Sequence, residues 1–169
     1  MNRNDILRRI RYIFDFSNSD MIAIFEQAGQ QMSRVQVIDL LRKDDDPACK
    51  KCTDTDMAAF LNGLINHKRG KKEGAQPESE QTLTNNAILK KLEIAVNFQA
   101  DDMVRVLSLA GLRISKHELS AFFRKPGHKH YRECKDQVLR NFLKGLQLEL
   151  RPGTDNNSSD PWGKGPGKK

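Results

Sequence analysis

Nine residues, Arg124-Lys-Pro-Gly-His-Lys-His-Tyr-Arg132, hold the densest group of chemistry-bearing side chains in the sequence. Arg124, Lys125, Lys129 and Arg132 are of the type that binds phosphate. Tyr131 offers a ring on which a base can stack, and His128 and His130 add imidazoles that donate, accept or ligate. Such a run suits a nucleic-acid or other polyanion contact. Nearby stands Cys134, and earlier Cys49-Lys-Lys-Cys52 forms a CxxC. Thiolate and imidazole are the ligands zinc prefers, so a Cys/His site joining the two regions is the second chemistry to weigh. A redox CxxC lacks the βαβ setting in which that motif works. No P-loop, nucleophile elbow, HExxH or glycine-rich cofactor turn occurs, so the sequence leans away from an enzyme and calls for no cofactor.

The elements that must carry these residues come in two copies. Residues 16–64 align with residues 98–146 without a gap, at an offset of 82. The register matches Asp20 with Asp102, Gly29 with Gly111, Ser33 with Ser115, Cys52 with Cys134, Asp54 with Asp136 and Gly63 with Gly145. Upstream, NDILRRI (4–10) lies over NAILKKL (86–92). A chain that aligns with itself in this way is a duplicated structural unit.

The register also weakens the metal reading, because only Cys52 and Cys134 recur. Cys49 answers to Tyr131, and His128 and His130 answer to Asp46 and Ala48. The repeated cysteines are therefore expected as small buried hydrophobes, and no metal site is expected. The repeated carboxylates all stand where helices should begin, which makes helix capping their expected role.

Within each copy the apolar spacing predicts four helices and no strand. In the first they fall at about 4–15, from a cap at Asn4, then 19–28, a third from Ser33 to about 43, and 53–67. In the second they fall at about 86–97, 101–110, 115–125 and 135–149. Gly29 and Gly111 read as helix stops. Gly63 and Gly145 sit inside the fourth helix, where glycine costs roughly 0.5–1 kcal/mol against alanine, so another backbone should approach there. The expected partner is a fourth or first helix. The second and third helices could form a helix-turn-helix, with Arg34, Val35, Gln36 or Lys116, His117, Glu118 at the reading end. The turn is long for that motif, and a plain αα-hairpin is the better reading.

The expected organisation is all-α: a helical repeat at 1–70, a polar linker at 71–82, a second repeat at 83–151 and a disordered tail at 152–169. The two four-helix repeats should pack as a pseudo-symmetric pair, since about 65–70 residues barely sustain a core alone. The net charge of +7 is uneven. Residues 83–151 have 13 basic against 7 acidic side chains, whereas residues 1–70 have 11 against 10. No apolar run is long enough for a membrane span, and the opening lacks the features of a signal peptide. An odd cysteine count argues against a disulfide framework and for a reducing cytosol.

Several stretches together resemble the YehS family, a bacterial domain of unknown function (DUF1456). In the first copy these are NDILRRIRYIF, LRK at 41–43 and FLNGLINHKRGK. In the second they are NNAILKKLEIA, FRKPGHKHYREC and DQVLRNFLKGL. The resemblance covers about residues 2–150 and implies a small cytosolic protein of two helical repeats, with no activity and no functional residues to carry over. The expected function is a non-enzymatic binding or regulatory module acting on a protein partner. The alternative is nucleic-acid binding through the basic face of the second repeat.

Overall fold

The computed structural model describes residues 1–152. The expected tail, with Trp162, lies outside the described residues beyond Pro152. Among those described there are eight helices and no strand. They are α1 (Arg3–Phe14), α2 (Asn18–Gln27), α3 (Arg34–Leu41), α4 (Asp54–Arg69), α5 (Asn85–Val96), α6 (Ala100–Leu109), α7 (Lys116–Ala121) and α8 (Asp136–Leu150). No helix among them is long and apolar enough to cross a membrane.

Six of the eight helix starts are capped by a side chain. Ser17, Ser33, Ser115 and Thr53 accept from the backbone three residues on, and Asp20, Gln36, Glu118 and Asp56 return the bond to the cap amide. These are reciprocal capping boxes. The first helix is capped by Asn2 and not by Asn4, and its counterpart by Thr84. Gly29 and Gly111 end α2 and α6 with φ of 81° and 92°, a left-handed conformation that costs a Cβ-bearing residue energy. The seventh helix is shorter than its spacing suggested. After Ala121 the Phe122 and Phe123 amides bond to Leu119 and Ser120, tightening the chain into turns, and Pro126 has no amide to continue a helix.

The helix glycines do mark a close approach, but to a different helix. A Cβ on Gly63 would overlap the backbone carbonyl of Ile24 in α2, and one on Gly145 the carbonyl of Val106 in α6. The fourth helix therefore crosses the second helix of its own repeat. Around that crossing Phe25 and Phe60 meet edge to face, 5.2 Å apart, within a fully buried set that includes Met21, Met57 and Leu61.

The repeats share a core. α4 runs parallel to α5: Asp54 accepts from the Leu83 amide at one end, Lys91 bonds Asn62 midway, and Arg69 bonds the Ile94 carbonyl near the other end. α1 runs parallel to α8, with the Met1 amine on Asp136 and Arg151 on the Tyr12 carbonyl. The terminal contacts of the two pairs are the same contacts displaced by 82 residues. First and fourth helices are thus exchanged between repeats about an approximate dyad, with second and third helices packed outside.

Candidate functional site: a cleft on the dyad

The parallel pairing brings the N-terminal ends of α1, α4, α5 and α8 around one cleft of about 1080 Å³. Its floor is the inter-repeat lock. Arg3 donates from Nε to Asp54 at 2.8 Å, from Nη1 to Asn85 at 3.4 Å and from Nη2 to the Leu83 carbonyl. Arg3 and Asn85 occupy the same repeat position, so they meet on the dyad. Asn85 in turn donates to Asp136 at 2.8 Å. Four helix N-termini concentrate positive dipole ends here, and two carboxylates at the first helical positions offset them.

Those carboxylates are fully engaged. Burial alone would raise the Asp54 carboxyl, but the Arg3 guanidinium and the Leu83 amide outweigh it and hold it below its ordinary value. Asp136 is held low by the Asn85 bond and then by the terminal amine. Neither is poised as a general base. Asp20 and Asp102 are lowered chiefly by the Ser17 and Gln99 amides they accept from. The expected capping role therefore describes Asp20 and Asp102, while Asp54 and Asp136 tie the repeats together.

Cys52 and Cys134 line the cleft wall but point into the core, each 1% exposed. Burial pushes both thiols up to about 12, which keeps them protonated and unreactive. Cys49 is half-buried, no cysteine is in a disulfide, and the described residues contain no cluster of three or more potential metal ligands. The His128 and His130 rings lie 5.5 Å apart, tilted to each other, in the second repeat, whereas Cys49 belongs to the first.

Asn4, expected as a helix cap, has a different role, and its counterpart Asn86 shares it. Asn4 donates to the Leu40 and Lys50 carbonyls and accepts from the Cys52 amide. Asn86 does the same with Phe122, Arg132 and Cys134. Each asparagine holds the loop between third and fourth helices against the first helix. The signal was present, an asparagine repeated at the same offset, but a cap was the simpler interpretation.

The basic run occupies that loop in the second repeat. Lys125, His128, Lys129, His130 and Arg132 are exposed, while Arg124 and Tyr131 are half-buried. The turn is well tied: the Arg132 amide bonds the Ala121 carbonyl, Asn86 takes the Arg132 carbonyl, and the His130 amide bonds Nδ1 of His128 at 3.0 Å. In the first repeat the same turn uses the Asp46 carboxylate to accept from Ala48. His128 thus replaces an aspartate as the turn-closing acceptor. Tyr131 and Glu133 lead from this loop into the cleft, opposite Cys49 and Lys51. The helix-turn-helix reading loses ground, because Gln36 and Glu118 are occupied in capping boxes.

A pair of interlocked helical repeats with a shared cleft defines a tandem-repeat, pseudodimeric all-α protein. The family described as a protein of unknown function, DUF1456, matches residues 3–70 and 85–152, and the chain belongs to it. It is 43% identical over 147 residues to the uncharacterized protein YehS of Escherichia coli (strain K12), covering 86% of this chain and 94% of that protein. No solved structure matches.

Proposed function

We propose that the protein is a non-catalytic binding module that takes a polar segment of a partner protein into the dyad cleft. The observation that carries this reading is the state of the cleft's reactive groups. Asp54 and Asp136, the carboxylates on its floor, are committed to internal bonds and two of its thiols are protonated by burial, so these groups can recognise but not transform. The walls are built alike, yet their rims differ: Lys51 on one side answers to Glu133 on the other, and Cys49 to Tyr131. A symmetric cavity with an asymmetric charged rim fixes the direction of a chain lying across it. Its size, its openness and the asparagine, lysine and carboxylate side chains along it suit a peptide segment better than an apolar small molecule.

Capture from nuclease-treated lysate of the source cells tests this. Wild type should retain a protein that Lys51→Glu and Glu133→Lys each release. Retention indifferent to both reversals, or no retained protein, overturns the proposal.

A further inference from the structure

We propose that the turn at 124–132 is a contact for single-stranded nucleic acid, which borders the cleft only at Tyr131. The first reason is charge with little compensation, since the only carboxylate among the described residues whose titration is shifted by one of these cations is Glu118, by Arg132. Among the described residues no carboxylate lies within ion-pairing distance of Arg124, Lys125, Lys129 or Arg132, whereas at the matching turn Arg42 is paired with both Asp39 and Asp46. The same backbone turn carries Asp44, Asp45 and Asp46 in the first repeat. Arg42, Lys43 and Lys50 stand there where Arg124, Lys125 and Arg132 stand here, so the second repeat keeps those cations, adds Lys129 in place of Pro47, and has Pro126, Gly127 and His128 where the three carboxylates would be.

The second reason is preorganisation. The turn is pinned at Arg132 to α7 and to the buried Asn86, and at His128 by the His130 amide. Binding thus orders little new backbone, which lowers the entropy lost on association. The third reason is rings beside the cations. Tyr131 and the two imidazoles lie on the same turn, and Arg132 stands over the Phe122 ring at 5.6 Å. A shallow depression of about 580 Å³, lined by Phe123, Arg124, Lys125, Gly127 and His128, adjoins them.

The shape selects an unpaired strand over a duplex. α7 has six residues and the side chain of Glu118, near its N-terminus, closes a capping box, so no reading helix is available for a groove. Alternating cations and rings on an exposed turn fit a flexible backbone whose bases can stack outward.

The test is fluorescence anisotropy of labelled 20-nucleotide single-stranded DNA and RNA and the matching DNA duplex, titrated with the full-length protein over a range of salt. Single strands should bind more tightly than the duplex. The Lys125→Ala/Lys129→Ala/Arg132→Ala variant should bind at least about tenfold more weakly at low salt. Its log–log salt slope should shrink by about 2, the loss expected for three phosphate contacts on a single strand. Tyr131→Ala should weaken binding about fivefold or more, and Tyr131→Phe should restore it. The control Arg34→Ala/Lys71→Ala/Lys72→Ala removes as much charge elsewhere and should bind as wild type does. The proposal fails if no strand binds at low salt, if the control loses as much, if the duplex is preferred, or if polyglutamate of matched charge competes as well as the oligonucleotide.

Discussion

At the scale of single residues, identical chemistry means different things according to burial. The sequence offers three thiols, and a CxxC invites a metal or redox reading. Burial separates them: Cys52 and Cys134 are in the core with thiols pushed up to about 12, while Cys49 is half-buried in the cleft wall. Thiolate is the reacting form, so a thiol reagent at pH 8 should label Cys49 alone in the native protein. The other two should react only on unfolding. A titration with Ellman's reagent showing one fast thiol, and three in denaturant, is the expected result; two or three fast thiols would refute the burial assignment. Asparagine shows the same dependence. Asn2 and Asn4 are both near a helix start, yet Asn2 caps it and Asn4 satisfies three buried backbone groups on another segment. Local spacing cannot distinguish these roles, because the second depends on groups 36 to 48 residues away.

At the scale of elements, the fourth helix of each repeat accepts a glycine in return for a close crossing. Helix propensity alone says that Gly→Ala should stabilise by roughly 0.5–1 kcal/mol. The crossing says the opposite, since the added Cβ meets backbone carbonyl and not a mobile side-chain end. Gly63→Ala and Gly145→Ala should therefore each lower the midpoint of thermal unfolding. An unchanged or higher midpoint in either would mean that α2 or α6 is not held where the structure puts it. The spacing of apolar residues made the eight helices legible, and the 82-residue register made the duplication legible. The glycines announced an approach, but which helix approached was hidden, because a missing Cβ is compatible with any neighbour. The third helix of the second repeat ends at Ala121, short of its apolar pattern, since Phe122 and Phe123 continue that pattern after the backbone has already tightened into turns. The candidate basic turn was visible as composition. Its rigidity was not, because that comes from Asn86 and Ala121, distant in sequence or silent in type.

At the scale of the whole molecule, the repeats are interlocked and should not behave as two domains. α1 packs along α8 and α4 along α5, so neither repeat can open without exposing the face that the other needs. The carboxylates at the dyad, Asp54 and Asp136, hold the common end of both pairs. Both have folded-state values below the ordinary carboxylate value, the first through Arg3 and the Leu83 amide against burial, the second through Asn85 and the terminal amine. Such groups add stability that is fully present above the ordinary value of about 4. That stability is lost as pH falls through the depressed folded values, when the unfolded chain takes up protons more readily than the folded one. Acid should therefore weaken the molecule below about pH 4 in a single cooperative transition, since both helix pairs lose their anchor together. Asp54→Asn should flatten that acid limb while lowering stability at pH 7. A double-mutant cycle of Arg3→Ala with Asp54→Ala should show a coupling of about 1 kcal/mol, as suits a partly buried, charge-assisted pair. Two separated acid transitions, or an acid limb unchanged in Asp54→Asn, would show that the repeats fold independently and that the lock contributes nothing to holding the cleft together.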